Sequence, residues 1–164
     1  MTAFRGSRFP FAACGRDVTI YEWVRILDPE RIRVGDHVIV DDFVFLDGGG
    51  GLHLGSYVHI AGFSSIIGGG RATLSDFSGL SAGCRIVTGT EIADGSGLTN
   101  PTIPPDLRTV HRGEVVLEEH VLLARTWWFI RTSVSVKVPW WAPAASCWPI
   151  SSRGRSTSAC RRAR

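Results

Sequence analysis

Histidines and acidic residues beside apolar positions are the side chains best suited to acid–base chemistry in this chain. His59 and Glu91 each stand one residue before an apolar position, and Asp41 and Asp42 directly follow one. Histidine can act as a general base because a neutral imidazole is available near pH 7. A neighbouring carboxylate would orient the ring for proton transfer. What these residues can do depends on the element that positions them.

That element is a repeat, visible when the chain is stacked in rows of twenty residues. Apolar residues recur every six positions within a row, and small or acidic residues usually follow them. This spacing fits neither a helical stripe of 3.6 residues nor a two-layer sandwich, and it is typical of a β-solenoid. Three columns carry the pattern: Cys14, Val34, Leu54 and Leu74; Ile20, Val40, Ile60 and Leu80; Ile26, Leu46, Ile66 and Ile86.

Three six-residue units predict one triangular coil with its apolar residues inside. A coil cannot bury its apolar residues alone, so coils must stack on one another. Burial of each Val, Leu or Ile contributes about 1.5–3 kcal/mol. Two extra residues per row fall at 48–51 and 68–70, which are glycine throughout. Glycine permits positive φ, and we expect a bulged corner there.

Composition agrees with one small domain. The chain has 164 residues and a formal charge of +3, yet residues 124–164 contain arginine and lysine and no acidic residue, so the first 123 are net acidic. We predict no secretory signal and no membrane span, because no apolar run is long enough. The cysteines Cys14 and Cys84 fall in coil rows and are expected to be buried thiols in a reducing cytoplasm.

We predict a lead-in (1–12), four coils (13–92), a loop (93–113) and one restarted coil that ends at Leu123. The domain therefore covers 1–123, and an aperiodic, disordered or irregular basic tail covers 124–164. Five of the six tryptophans lie in that tail. Arginines with tryptophans upstream resemble a phosphate-binding patch, but we expect no nucleic-acid partner, since a frame slip in a GC-rich gene yields the same composition.

A lost base after the codon for Leu123 would explain the tail. Tryptophan has a single codon, so Trp127 and Trp128 must be encoded by TGGTGG, which reads Val-Val one base earlier. With the same shift, permitted codons for the rest of the tail restore a hexapeptide pattern. Our hypothesis is that the tail is out of frame, which predicts weak or absent activity and poor solubility.

The hexads, the loop and the shifted tail together resemble the left-handed β-helix (hexapeptide-repeat) acyltransferases, a family that includes galactoside and maltose acetyltransferases. The stretches most similar to O-acetyltransferases of surface-polysaccharide or lipopolysaccharide synthesis are residues 57–63, 78–83 and 97–104. The resemblance covers about residues 15–123 and implies an all-β, single-stranded left-handed parallel β-helix. Left-handedness follows from the resemblance alone and departs from the usual crossover rule.

The resemblance implies transfer of an acetyl group from acetyl-CoA to a sugar hydroxyl or, second, to an amine, on a polysaccharide precursor. It also implies a cytoplasmic homotrimer with active sites between solenoids. The position of the family's catalytic histidine holds Glu91 here. His59, at a coil position that lines the acceptor cleft in those enzymes, is therefore the candidate base, paired with Glu91 of a neighbouring subunit. Alternatively, both are solvated surface side chains.

Other candidates are substrate contacts. Asp41 and Asp42 at a corner, and Asn100 and Thr102 in the loop, are candidate substrate-binding residues, although corner acids often only solvate a turn. His111 is the second choice for the base. His37 and His120 occupy the third place after an inward residue, like Tyr57 and Phe77, and are interpreted as surface positions.

We expect no metal, because a zinc site would need three converging imidazoles and the family's pair of histidines five apart is absent. The alternative to an enzyme is a non-catalytic β-solenoid, either a remnant or a scaffold subunit within a trimer.

Overall fold

The fold is taken from a computed structural model. It describes residues 3–5, 9–92, 94–95, 97–123, 128–130 and 134–136, with only the backbone pairing for 3–5, 128–130 and 134–136. The rest of the predicted 124–164 tail lies outside the described residues. In the described part of the chain, no helix is long and apolar enough to cross a membrane.

Short strands stack in three sheets, one for each side of a triangular coil, and all of their pairings except that of β1 are parallel. Sheet A contains β1 (Ala3–Arg5), β3 (Thr19–Tyr21), β6 (Ile39–Val40), β9 (His59–Ile60), β12 (Gly79–Leu80) and β17 (Leu122–Leu123). Sheet B contains β2 (Ala13–Cys14), β5 (Ile32–Val34), β8 (Leu52–Leu54), β11 (Arg71–Leu74), β16 (Glu114–Leu117) and β19 (Val134–Val136). Sheet C contains β4 (Arg25–Leu27), β7 (Phe45–Asp47), β10 (Ser65–Ile67), β13 (Arg85–Val87) and β18 (Trp128–Ile130). The predicted all-β solenoid is confirmed.

The three predicted columns are the rungs of the solenoid. Each column residue is the strand partner of the residue twenty positions later, as for Val40 with Ile60 and Leu46 with Ile66. Almost all of them are buried. The columns continue after the loop, where Leu74 pairs with Leu117. The period of twenty is therefore the physical register of the sheets.

A second inward position lies two residues before each column. It is mostly valine, but Ser64, Ser78 and Cys84 also occupy it and are buried. The Ser64 hydroxyl donates to the Ser81 carbonyl (3.1 Å) and the Ser78 hydroxyl to the Ser75 carbonyl (2.6 Å). Buried hydroxyls are tolerated because backbone carbonyls satisfy them.

The glycine corner adopts the expected conformation. Gly49, Gly51, Gly68 and Gly69 all have positive φ. A Cβ on Gly49 would lie 2.5 Å from the Cα of Gly69, so successive corners pass too closely for side chains. The carboxylate of Asp47 joins the two corners by accepting from the amides of Gly49 (2.9 Å) and Gly69 (3.1 Å).

The first coil departs from the prediction of two buried thiols. Cys84 is buried, but Cys14 is exposed. The reason is positional, since β2 is the edge strand of sheet B and, among the described residues, no strand covers its free side. Sheet A is covered at the same end by β1, which pairs antiparallel with β3.

The two strands of one hairpin lie at the two ends of the predicted loop. Strand β14 (Gly89–Glu91) pairs antiparallel with β15 (Val110–Arg112), outside the three solenoid sheets. Short 3₁₀ helices occur at Pro105–Leu107 in the loop and at Pro29–Arg31 in the first coil.

The solenoid backbone extends beyond Leu123, where the predicted domain ends and the predicted aperiodic tail begins. Strand β18 pairs with β13, and β19 pairs with β16. Phe129 lies six residues after Leu123 and is the partner of Ile86, so the spacing survives into the tail. Aromatic and β-branched residues favour strands whatever their reading frame, which accounts for the extra strands.

Candidate active site

The corner between sheets A and C carries an open cleft of about 350 Å³. It is lined by Asp41 and Asp42, directly after strand β6, by Gly62, and by the rings of Tyr21, Phe43 and Phe63, which we call the aromatic rim. The lining is therefore both acidic and aromatic.

His59 contacts this cleft through Asp41. Its ring Nε2 lies 3.2 Å from the Asp41 Oδ2, and the two side chains are 56% and 35% exposed. Since β9 is the strand partner of β6, His59 lies beside Ile39, two residues before Asp41. A carboxylate oxygen accepts, so Nε2 is the donor in this contact. In the neutral ring with Nε2–H, the Nδ1 atom has a lone pair that can take a proton.

Asp42 has a different position from Asp41. Its Oδ1 accepts a hydrogen bond from the backbone amide of Trp23 (2.9 Å), one coil earlier. The corner of the preceding coil is thereby capped, as a side chain caps an orphan amide at a turn. The two adjacent aspartates thus separate into one that faces the histidine and one that supports the corner.

Glu91 is paired elsewhere in the chain. Its Oε1 accepts from the Arg108 Nη1 (3.3 Å) across the hairpin, and the two side chains are only 24% and 19% exposed. The Arg108 Nε is buried without a partner. The predicted pairing of His59 with Glu91 of another subunit is not tested by one chain and stays a prediction; within the chain, each has its own partner.

The remaining predicted residues lie in the loop and the hairpin. The Asn100 Oδ1 accepts from both the amide (3.0 Å) and the hydroxyl (2.9 Å) of Thr102, and both residues are exposed. This arrangement is an Asx turn, which shapes the loop. His111 lies on β15 opposite Thr90 and is half-buried. Their substrate roles stay predictions.

His37 and His120 belong to a stack of rings at the corner between sheets B and A. His37, Tyr57, Phe77 and His120 stack in that order, with centroids 4.7, 4.9 and 5.1 Å apart. All four have left-handed backbone conformations, which the stacking stabilises. Among the described residues, no group of three or more His, Cys, Asp or Glu side chains is arranged to hold a metal ion.

Comparisons with known proteins bear on this site. No protein-family profile matches the chain. The dTDP-4-amino-4,6-dideoxy-D-glucose acyltransferase of Escherichia coli is 35% identical over 114 residues, which is 69% of this chain and 59% of that protein. The chain thus spans about three fifths of the length of this curated relative.

Solved structures of AntD, an N-acyltransferase from Bacillus cereus, share the fold. A variant in complex with dTDP and coenzyme A matches with a TM-score of 0.63 and 32% identity over 69% of this chain and 60% of that one. The complex with dTDP and 3-hydroxybutyryl-CoA matches with a TM-score of 0.62 and 33% identity over 68% and 59%. The chain belongs to the left-handed β-helix acyltransferase family.

For this member of the left-handed β-helix acyltransferase family, sequence reasoning missed the aromatic rim. Two residues of this rim, Phe43 and Phe63, stand twenty residues apart, with Trp23 at the same position one row earlier and Gly83 one row later. Phe43 and Phe63 stack with centroids 5.1 Å apart. These residues form a fourth column with the same period of twenty, and they are not among the inward apolar residues of the three predicted columns.

Proposed function

We propose that the chain is an acyl-CoA-dependent acyltransferase that acylates the amine of a nucleotide-linked amino sugar. The observation that carries the proposal is the contact of His59 with Asp41 beside an open acidic and aromatic cleft. The Escherichia coli relative is named for an amino-sugar substrate, and AntD is an N-acyltransferase. These names favour an amine over the sugar hydroxyl that the sequence analysis ranked first.

His59 supplies the base for this reaction. The acceptor nitrogen attacks the thioester carbonyl carbon, the C–N bond forms, and the C–S bond breaks as coenzyme A leaves. The proton lost by nitrogen moves to the His59 Nδ1 and then to the leaving thiolate, so atoms and charges balance. Asp41 holds the ring and stabilises the imidazolium that forms transiently.

The observations constrain the identity of the transferred acyl group less than that of the acceptor. Acetyl-CoA is the expected donor from the family resemblance, while a 3-hydroxybutyryl-CoA complex of AntD argues that larger groups deserve the same test. Acyl transfer should be measured with both donors by release of free thiol and by the mass of the product.

A pair of acceptors tests the amine directly. We expect transfer to dTDP-4-amino-4,6-dideoxyglucose and none to dTDP-glucose, which offers hydroxyls alone. Transfer to both would restore the O-acetyltransferase interpretation. Absence of transfer with every donor, together with absence of coenzyme A binding, would favour the alternative of a non-catalytic solenoid.

We also propose that residues from about 124 onward are read out of frame and that the chain as given has reduced activity. The lack of acidic residues and the concentration of tryptophan in this segment support the proposal. Sequencing the gene around codons 120–130 tests it. A restored frame should raise acyl transfer, and an unchanged rate after restoration would contradict the proposal.

A homotrimer is proposed from the outer face of sheet A. Ile39 and Leu122 are 43% and 64% exposed on that face, and the two stacks of exposed rings flank it. Exposed apolar patches of this kind mark contact surfaces. We expect three copies by light scattering and dissociation in Ile39→Asp, whereas Leu27→Asp, an exposed apolar residue on sheet C, should leave the mass unchanged.

We place the protein in the cytoplasm and in surface-polysaccharide synthesis. The free cysteine Cys14 suits a reducing compartment. An acylated nucleotide sugar would be a building block for such polymers. Fractionation of the native host tests the location.

A further inference from the structure

Tyr21 is the residue of the aromatic rim that carries a polar atom. It is half-buried and lines the cleft together with Asp41 and Asp42. Phe43 and Phe63 stack on each other, whereas the Tyr21 hydroxyl has no hydrogen-bond partner among the described residues. Tyrosine hydroxyls usually have a partner when they are buried, so this hydroxyl is available to a ligand in the cleft.

The strand register of sheet A places Tyr21 next to Asp41. Strand β3 pairs in parallel with β6, and Ile20 is the partner of Val40, so Tyr21 and Asp41 are the next residues on the two strands. His59 lies on β9, which pairs with the other side of β6. Tyr21 and His59 therefore flank Asp41 from the preceding and the following coil. Their strands are two spacings, or about 9.6 Å, apart.

The strand that carries Tyr21 is paired on both sides, although it belongs to the first coil. Its antiparallel partner is Ala3 on β1, and β6 lies on the other side. Sheets B and C begin, within the described residues, with the edge strands β2 and β4. Sheet A alone is covered at this end, which fixes the backbone beneath the phenol before a ligand binds. A group that is already fixed loses little freedom on binding, and this favours affinity.

Tyr21 is also the one hydrogen-bond donor among the described side chains that line the cleft. Ionised carboxylates only accept, and phenyl rings offer no polar atom. Asp42 already accepts from the Trp23 amide, and Asp41 contacts His59. A sugar hydroxyl both donates and accepts. The phenol can therefore donate to the oxygen of such a hydroxyl, which the two carboxylates cannot do.

We propose that Tyr21 is an acceptor-binding residue, which hydrogen-bonds a ring hydroxyl of the sugar and thereby orients the sugar amine toward His59. This inference rests on the proposed function, since it assigns one contact of the acceptor. A sugar ring with a hydrogen bond at each end can bridge the separation between the two strands. The contact recognises the sugar and is independent of the nucleotide and of the acyl donor.

The two tyrosines of the chain provide a matched pair of variants, Tyr21→Phe and Tyr57→Phe. Each removes one hydroxyl and keeps the ring, and Tyr57 belongs to the ring stack at the other corner of sheet A. Calorimetry with the whole chain should compare dTDP-4-amino-4,6-dideoxyglucose with dTDP, which lacks the sugar. Tyr21→Phe should weaken binding of the sugar nucleotide about three- to tenfold, the effect of one neutral hydrogen bond, and leave dTDP binding unchanged. Tyr57→Phe should change neither affinity.

A structural role for Tyr21 gives a different result. Distortion of the cleft would weaken both ligands, so an equal loss for dTDP and for the sugar nucleotide would overturn the proposal. An unchanged affinity for the sugar nucleotide in Tyr21→Phe would overturn it as well. The same holds if the parent chain binds the sugar nucleotide no more tightly than dTDP.

Sugar analogues identify the partner of the phenol. Two analogues of the sugar nucleotide, each without one of its ring hydroxyls, should be measured with the parent and with Tyr21→Phe. Because an interaction is lost only once, Tyr21→Phe should have no effect on the analogue that lacks the bonded hydroxyl. A full loss of affinity with both analogues would overturn the hydroxyl contact.

The outcomes separate this proposal from the proposed function. If Tyr21→Phe keeps the affinity and the acyl-transfer rate of the parent, the contact is wrong and the acyltransferase proposal stands. If Tyr21→Phe shows the sugar-specific loss but the parent transfers no acyl group from any donor, the contact stands and the acyltransferase proposal fails.

Discussion

Two polar pairs in this molecule resemble each other in chemistry and differ in setting. His59 and Asp41 lie on adjacent coils of the solenoid, and their side chains are 56% and 35% exposed beside a cleft. Glu91 and Arg108 lie on the hairpin, and four fifths or so of each side chain is buried. The strand register of sheet A brings His59 and Asp41 together, whereas the contact between Glu91 and Arg108 stabilises the hairpin.

The difference teaches which pair is available for catalysis. A base needs a nitrogen that can reach the substrate, and the Nδ1 of His59 is free of the contact that orients the ring. The Glu91 carboxylate is bound to the Arg108 guanidinium, and its release would leave a mostly buried arginine without this carboxylate. We therefore assign chemistry to the solenoid pair and structure to the hairpin pair.

Loss of the imidazole should have the largest effect. His59→Gln should lower kcat for acyl transfer by about 10²–10⁴-fold, the range for removal of a general base, with little change in unfolding temperature. Asp41→Asn should lower kcat less, because Asp41 acts through the ring. The assay is thiol release at saturating donor and acceptor.

Glu91→Gln is the matched variant on the hairpin. If it lowered kcat as much as His59→Gln while both proteins stayed folded, the assignment would be reversed. Near-normal turnover in His59→Gln would remove His59 from the mechanism.

The interior of the solenoid should be the next most sensitive region. Leu74→Ala removes a fully buried side chain and should lower the free energy of unfolding by about 2–5 kcal/mol. Leu107→Ala in the hairpin loop, where the side chain is 53% exposed, should change it by less than about 0.5 kcal/mol. Chemical denaturation measures both, and equal losses would contradict the division between solenoid and hairpin.

The contrast also marks what sequence can predict. Three apolar columns predicted the strand partners of Val40, Leu46 and Leu54 because a solenoid converts a period into a register. The same register implies that residue 59 lies beside residue 39, so Asp41 was within reach of prediction as a diagonal neighbour. Only the inward residues were followed across rows, and this contact and the aromatic rim were therefore missed.

The hairpin had no such period. Nothing in the spacing of Glu91 and Arg108 predicts their contact, because antiparallel pairing outside the coils depends on the turn between them. The hydrogen bonds between Asn100 and Thr102 are likewise local, and the two residue types permit these bonds without requiring them. Cys14 is exposed because it lies on the edge strand β2, and the spacing of a repeat does not show which of its coils is the terminal one.

A smaller effect is expected from Glu91→Gln on the hairpin itself. Loss of a hydrogen-bonded charge at a mostly buried arginine should destabilise the hairpin by about 1–3 kcal/mol. Amide exchange in Gly89–Glu91 and Val110–Arg112 should accelerate, while exchange in strand β8 stays slow. Uniform acceleration across both regions would show that the hairpin and the solenoid unfold together.

The smallest expected effect lies at a corner of the solenoid and depends on pH. The backbone amide of Arg16 donates to Asp36 (2.7 Å), and this hydrogen bond is the main reason that the pKa of Asp36 lies below its ordinary value of 3.8. Because the folded-state pKa is lowered, the stabilisation is present above pH 3.8 and is lost as pH falls through the lower folded value. Asp36→Asn should therefore unfold at a slightly lower temperature than the parent at pH 7, and this difference should shrink below pH 3.8. Asp106→Asn, the same charge change on an exposed loop, is the control, and a pH-independent difference for Asp36→Asn would contradict the role of this hydrogen bond.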